Sequence, residues 1–124
     1  MIARAALDES ERALEWIRAV EDEEVEGIAP DLIWLEIGNA FSGYVRAGTV
    51  SREDGSHDVA AALRVPLRTA AIGELALASF AVALDRGLSV YDACYAALAE
   101  AEGALLVTAD RQLAGAAVRA ELIA

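Results

Sequence analysis

The chain has 124 residues, 56% hydrophobic and 25% charged, which predicts one folded domain over residues 1–124 and argues against disorder. Ten basic residues stand against 21 acidic ones, and the formal net charge of -11 weighs against nucleic-acid binding through a basic face. All ten basic residues are arginine, so the absence of lysine excludes a Walker-type phosphate loop and Schiff-base catalysis.

The first half of the chain alternates between helical and strand-like patterns. Leu7, Leu14 and Ile17 share one stripe and predict a helix over 3–20. The segments that follow are predicted, in order, as a short strand over 25–29, a helix over 31–47 with Asp31 as its N-cap, a helix that opens with a capping box at 51–54, and a weak strand over 65–71.

The second half contains the most apolar elements. A nearly all-apolar helix is predicted over 74–85, and the helix that opens at Ser89 is apolar on almost every side, which is typical of a buried helix. Residues 104–108 have the pattern of a strand in a parallel sheet covered on both faces, and a last helix begins at Asp110. Helices that alternate with short apolar strands predict an α/β fold with a parallel sheet.

The cysteine and histidine content excludes two kinds of site. Cys94 is the only cysteine and His57 the only histidine, so the chain can form neither an internal disulfide nor a zinc site of cysteines and histidines. No apolar stretch reaches the ~20 residues of a membrane span. We therefore expect a soluble, cytoplasmic protein with no membrane contact.

Three carboxylates stand on surfaces that otherwise have the pattern of core. Glu36 lies on an apolar helix face, Asp92 is the only charge in the first three turns of the apolar helix, and Asp110 follows the strand over 104–108. Each also has a structural explanation. Asp92 completes a capping box with Ser89, Asp110 caps the last helix, and Glu36 forms an internal hydrogen bond or faces solvent.

Grouping of these acids would require a counter-ion. At an effective dielectric constant of ~20, two such charges ~4 Å apart repel each other by about 4 kcal/mol. A divalent cation removes this repulsion, and a ligand set of oxygen atoms alone favours Mg²⁺ or Mn²⁺. Such an ion polarises a phosphoryl oxygen and lowers the pKa of an attacking water, so phosphodiester hydrolysis then needs no nucleophilic side chain.

Three segments resemble the acidic motifs of the PIN-domain ribonucleases. They are residues 29–40 (APDLIWLEIGNA), 88–99 (LSVYDACYAALA) and 106–113 (LVTADRQL). The sequences of these segments and the short length of the chain most resemble the VapC toxins of prokaryotic toxin–antitoxin pairs. The resemblance implies a PIN-like three-layer α/β/α fold with a short parallel sheet. It also implies an endoribonuclease that cleaves RNA with Mg²⁺ or Mn²⁺, is held in check by a cognate antitoxin, and forms a homodimer.

The same resemblance assigns roles to individual residues. Carried over by position, Glu36, Asp92 and Asp110 are the catalytic, metal-binding acids. Asn39 and Thr108 support the site, and Arg111 contacts a phosphate. Simpler explanations stay open, since Asn39 also fits polar packing and Arg111 a solvated first turn. Phosphate binding on so acidic a chain needs a local groove of arginines, for which the candidates are Arg46, Arg52 and Arg111.

The beginning of the sequence departs from the family pattern. PIN domains begin with a strand, central in the sheet, that ends in an Asp; here residues 1–3 lead directly into a predicted helix, and Asp8 lies inside that helix. Loss of the strand should expose the edges of its neighbours and the core. Three carboxylates suit one divalent ion rather than two, which predicts weaker metal binding and reduced or absent activity. A mis-assigned start codon is our preferred explanation, and a degenerate pseudo-nuclease is the other.

Two other functions stay open. The first is a non-catalytic, PIN-like interaction module that binds an antitoxin or self-associates through apolar helical surface. Candidate contact residues for such a module are the aromatic side chains Trp16, Trp34, Phe41 and Tyr44. The second is a generic α/β domain whose acids only cap helices.

Overall fold

The computed structural model describes residues 11–123, which form six helices and four short strands. The α/β class and the alternation of helices with strands are confirmed. Residues 3–10 of the first predicted helix, Asp8 included, lie outside the described residues. The elements are α1 (Glu11–Glu21), β1 (Ile28–Pro30), α2 (Ile33–Arg46), α3 (Arg52–Ala62), β2 (Arg68–Ala70), α4 (Ile72–Arg86), α5 (Val90–Glu102), β3 (Leu106–Thr108), α6 (Arg111–Ala116) and β4 (Ala120–Leu122).

The four strands form two separate parallel pairs. Strand β1 pairs with β2, with Ile28 opposite Arg68, and β3 pairs with β4, with Leu106 opposite Ala120. Within residues 11–123 no strand joins β1 to β3. The expected exposure of the core is not seen at β1 or β3. Both strands are buried along their whole length, and α5 packs against both.

Helix α5 is the centre of the fold. It is buried from Ala93 to Ala99, so the prediction of a buried apolar helix is confirmed. The Ser89 side chain accepts a hydrogen bond from the Asp92 N–H, as the predicted capping box requires. Gly103 ends the helix with a φ of 61°, a left-handed conformation that glycine adopts without steric cost.

Helix α2 begins at a different residue from the one predicted. Asp31 is not the N-cap: the helix begins at Ile33, and Leu32 occupies the cap position. The Asp31 N–H still bonds the carbonyl of Ala70, so the residue continues the pairing of β1 with β2 and the chain turns one residue later. The Asp31 carboxylate instead accepts a hydrogen bond from the Ile72 N–H (3.1 Å) at the start of α4.

Helix α4 is apolar, as predicted, but it is not buried on all sides. Its described core contacts come from Leu75, Ser79 and Ala83, which lie on one stripe. On the opposite side Leu77 is 83% exposed and Leu84 is 69% exposed. Between residues 11 and 123, no helix combines the length and the apolar character needed to cross a membrane.

An ion pair ties the end of α4 to α5. The Arg86 guanidinium bonds both carboxylate oxygens of Glu100, each at 2.7 Å, and also donates to the carbonyl of Ala116. This contact holds the pKa of Glu100 below its ordinary value. The stability from the pair is therefore present above the ordinary glutamate pKa and is lost as the pH falls through the lowered value.

We expect Glu100→Gln to destabilise the protein near neutral pH and to have a progressively smaller effect on acidification below about pH 4. The free energy of unfolding in urea, measured for wild type and variant across this range, checks the expectation. Glu53→Gln, at an exposed position on α3, is the control. A destabilisation by Glu100→Gln that is the same at every pH would show that the pair is not its source.

Candidate active site

Glu36 is held by a tyrosine from the central helix. The Tyr95 hydroxyl donates a hydrogen bond of 2.5 Å to Glu36 Oε1, which joins α5 to α2. Tyr95 is fully buried, whereas Glu36 is half-buried. A buried tyrosine needs a partner for its hydroxyl, and this requirement is the signal by which the sequence could have pointed to Tyr95.

The buried thiol of Cys94 shows which carboxylates lie close together. Burial raises the pKa of Cys94 to about 12, and the negative charges of Glu36, Asp92 and Asp31 raise it as well. The charges of three carboxylates from two parts of the chain therefore act on one side chain of α5. Glu36 and Asp92 belong to the predicted set. Asp31 does not belong to that set, because an acid directly after Pro30 was predicted to be the N-cap of the next helix.

Asp110 has the local role that its position predicts. Its carboxylate accepts a hydrogen bond from the Leu113 N–H and caps α6, and its own N–H donates to the hydroxyl of Thr108 (3.1 Å each). Thr108 is completely buried at the end of β3. Thr108 therefore contacts the residue that it is predicted to support, and its part in a reaction stays a prediction.

The two remaining candidates lie at the surface. Asn39 is exposed on α2, and its carbonyl accepts a hydrogen bond from the Ser42 hydroxyl. Arg111 is exposed and is the first residue of α6. Of the three arginines considered for a phosphate groove, Arg46 and Arg52 line one open cleft between α2 and α3.

The residues that the structure describes do not form a complete metal site. Among residues 11–123, no group of three or more His, Cys, Asp or Glu side chains is arranged to hold a metal ion. The charges of Glu36 and Asp92 both act on the Cys94 thiol, and the grouping of these two acids with Asp110 around a metal ion stays a prediction. The carboxylate oxygens offered here are of the type that Mg²⁺ and Mn²⁺ bind.

Comparison with known proteins places this chain in a family. Residues 2–119 match the family model of the PIN domain. The chain belongs to the PIN-domain family. Within 86 aligned residues, this PIN domain is 36% identical to Ribonuclease VapC3 of Pyrobaculum aerophilum; the match covers 68% of this chain and 66% of that protein, just under two thirds of its length.

A solved structure gives the same fold. The crystal structure of PAE2754 from Pyrobaculum aerophilum matches this PIN domain with a TM-score of 0.73 and 29% sequence identity, over 98% of this chain and 88% of that one. The likeness to PIN domains inferred from the three acidic segments is therefore confirmed, as is the α/β PIN-like fold with short parallel sheets.

The environment of Cys94 in the PIN domain leads to a chemical prediction. Cys94 is 5% exposed as a residue, its thiol donates a hydrogen bond to the Tyr91 carbonyl, and burial raises the pKa of the thiol to about 12. We expect it to resist a disulfide reagent at neutral pH in the folded protein and to react fully in urea. Spectrophotometric thiol titration measures both states, and rapid reaction of the folded protein would contradict the burial described here.

Proposed function

We propose that this PIN domain is a metal-dependent endoribonuclease, the toxin of a toxin–antitoxin pair, that hydrolyses RNA phosphodiester bonds. Mg²⁺ or Mn²⁺ would be held by Glu36, Asp92 and Asp110. The observation that carries the proposal is that, in a chain of the PIN family, helix α5 carries Asp92 and also holds Glu36 of α2 through the Tyr95 hydroxyl. The charges of Glu36 and Asp92 also act on the same buried thiol, that of Cys94. The similarity to a protein named as a VapC ribonuclease supports the same function.

The roles of the chain's own residues follow from their contacts. The Tyr95 hydroxyl fixes one oxygen of Glu36, and Ser89 fixes the first turn of α5, which carries Asp92. Thr108 and the start of α6 orient Asp110 in the same way. A bound cation would supply polarisation of a phosphoryl oxygen and a lowered pKa of water. Cys94 stays protonated at neutral pH and is not the nucleophile.

The acidity of the chain requires a local site for phosphate. Arg46 and Arg52, in the cleft between α2 and α3, are the candidates that the structure brings together, and Arg111 lies beside Asp110. Arginine suits this task because its guanidinium forms paired hydrogen bonds with phosphate oxygens. We propose that RNA phosphates contact these arginines, and that a cognate antitoxin blocks access to the acids in the resting cell.

We expect the activity of the 124-residue chain to be low. Three carboxylates carry less charge than a pair of divalent ions would need, and the described residues contain no group of three prospective ligands. One cation, weakly held, is the stoichiometry that this donor set favours. The rate of cleavage is then expected to saturate only at millimolar concentrations of Mn²⁺, rather than at micromolar ones.

A non-catalytic interaction module is the second candidate. The absence of a three-ligand group within residues 11–123 and the exposed face of α4 favour it. The four aromatic residues considered earlier are all partly buried: Trp34 and Phe41 pack against the core residues, Tyr44 lies edge-on to Phe41, and Trp16 donates a hydrogen bond to Glu121. Exposed apolar side chains that a partner could contact include Leu77, Phe80 and Leu84 on α4.

Calorimetric titration with Mn²⁺ separates the two candidates. The nuclease proposal predicts heat of binding that disappears in the variant with both Glu36→Gln and Asp92→Asn, and that persists in Asp22→Asn, which changes an exposed acid after α1. Cleavage of RNA in the same buffer should stop when a chelator removes the metal. The absence of binding heat at millimolar Mn²⁺, together with the absence of cleavage, would contradict the proposal and favour the interaction module.

A further inference from the structure

Helix α6 is short, and its direction depends on contacts with the rest of the fold. Its six residues, Arg111–Ala116, span only about 9 Å. Leu113 is its buried residue, 1% exposed, and anchors the middle of the helix in the core. One buried side chain fixes the middle of a helix but not the direction of its axis. Because Asp110 caps this helix, that direction also decides where the Asp110 carboxylate lies.

Gln112 holds the start of α6 to the turn between α4 and α5. Its side-chain amide donates a hydrogen bond of 3.0 Å to the carbonyl of Gly87. Because a carbonyl oxygen only accepts, the amide nitrogen of Gln112 must face it. Both residues are exposed, so water could satisfy either group and burial does not force them to pair. The contact is therefore not a requirement of core packing.

This turn leads directly into the first turn of α5. The N–H groups of Gly87 and Leu88 both bond the carbonyl of Ala83, and the Leu88 side chain is buried. Ser89 then accepts a hydrogen bond from the Asp92 N–H (3.1 Å). The turn is thus held at both ends, which makes it a firm support for the residue that begins the acidic part of α5.

Arg86 holds the other end of α6. Its guanidinium donates to the carbonyl of Ala116 (3.0 Å) while it is bonded to Glu100 of α5. Both ends of the short helix are therefore attached to the C-terminal end of α4. Loss of the Gln112 contact would leave α6 attached at its far end only, and Asp110 lies at the end that would be released.

We infer that Gln112 is a positioning residue of the candidate active site, and that its hydrogen bond to Gly87 sets where Asp110 lies relative to Asp92. The inference rests on the proposed function, because it assigns the two acids to one metal site. Small divalent cations demand near-ideal placement of their oxygen ligands. Contacts that orient metal ligands typically contribute 10–100-fold to metal affinity, and Gln112, which acts through a helix, is expected to contribute about tenfold.

Amide hydrogen exchange tests this role without metal. Gln112→Met keeps about the length of the side chain and removes the donor. The N–H groups of Leu113 and Ala114, which both bond Asp110, should then exchange about 2- to 10-fold faster. Gly115→Ala is the control on the same helix, because a Cβ there meets no atom within 4 Å, and it should not speed exchange. Both positions are exposed, so circular dichroism should show both variants folded.

Titration with Mn²⁺ tests the consequence for the site. The dissociation constant, measured from the electron paramagnetic resonance signal of the unbound ion, should rise about tenfold in Gln112→Met. It should stay within about twofold of wild type in Gly115→Ala, which changes no docking contact. In an Asp110→Asn background, Gln112→Met should have no further effect, since it acts only through Asp110. A general loss of stability would instead weaken binding in both backgrounds.

Three results would overturn the inference. They are unchanged exchange in Gln112→Met, an unchanged Mn²⁺ affinity of that variant beside a wild type that binds the ion, and an equal loss of affinity in the Asp110→Asn background. A wild type that binds no Mn²⁺ would contradict the proposed function instead, and the exchange rates would still decide whether Gln112 holds Asp110 in place.

Discussion

Asp92→Asn is expected to lower metal-dependent RNA cleavage by at least about 100-fold, because a divalent cation contributes several kcal/mol to transition-state stabilisation and each 1.36 kcal/mol is a factor of ten. Asparagine keeps the size of the side chain and removes the charge that binds the cation. The hydrogen bond from the backbone N–H of residue 92 to Ser89 is unaffected by the change. Cleavage of a labelled RNA in Mn²⁺, compared with wild type, measures the loss.

The fold should survive this substitution, which makes the result interpretable. Loss of an acid from the first turn of a helix costs about 0.3–1 kcal/mol through the helix dipole, a cost that urea unfolding of the variant can verify. Asp22→Asn removes one charge from an exposed turn and should cleave RNA as the wild type does. Undiminished cleavage by Asp92→Asn would show that the residue is only part of the helix cap.

Tyr95→Ala is expected to lower the free energy of unfolding by about 3–5 kcal/mol, the cost of emptying the space of a buried aromatic side chain. Tyr95 is completely buried at the centre of α5, and it is the largest of the fully buried side chains in the described residues. Tyr95→Phe keeps the ring and loses the hydroxyl that bonds Glu36, so its expected cost is about 1–3 kcal/mol. Urea denaturation of both variants measures these losses.

A double-mutant cycle assigns the smaller loss to the contact itself. Glu36→Ala, which removes the acceptor, Tyr95→Phe and the combined variant give the coupling energy between the two side chains. A coupling near zero, or a Tyr95→Phe variant as stable as the wild type, would show that the hydroxyl does not hold Glu36 in solution. The larger loss in Tyr95→Ala depends on packing and would remain in either case.

Those parts of the fold that local pattern determines could be predicted from the sequence. The run after Ser89, apolar except for Asp92, specified a buried helix, and Ser51 and Ser89 accept the predicted capping hydrogen bonds from the backbone N–H groups of Asp54 and Asp92. Strand β4 was not predicted, since three residues with little alternation become a strand only by pairing with β3. The exposure of one side of α4 was not predicted either, because an all-apolar pattern does not show which face meets the core.

For the candidate site, the sequence pointed to some of the acids whose charges meet in the structure and not to others. An acid on an apolar helix face pointed to Glu36 and Asp92, whose charges act on the same thiol in the structure; their part in a metal site stays a prediction. Asp31 was missed because a carboxylate after Pro30 is equally well explained by a helix cap, and only the pairing of β1 with β2 moves the helix start away from it. The distance from these acids to Asp110 depends on how α6 packs, which no local pattern determines.

Crystals of the wild-type chain soaked in Mn²⁺ give the most direct test of the proposed metal site. The anomalous scattering of manganese locates the ion independently of any assumption about its ligands. The proposal predicts a single peak bonded to carboxylate oxygens of Glu36, Asp92 and Asp110, at the roughly 2.0–2.2 Å expected for a small divalent cation. A map without a peak at these side chains, or with manganese bound only at other surface acids, would contradict it.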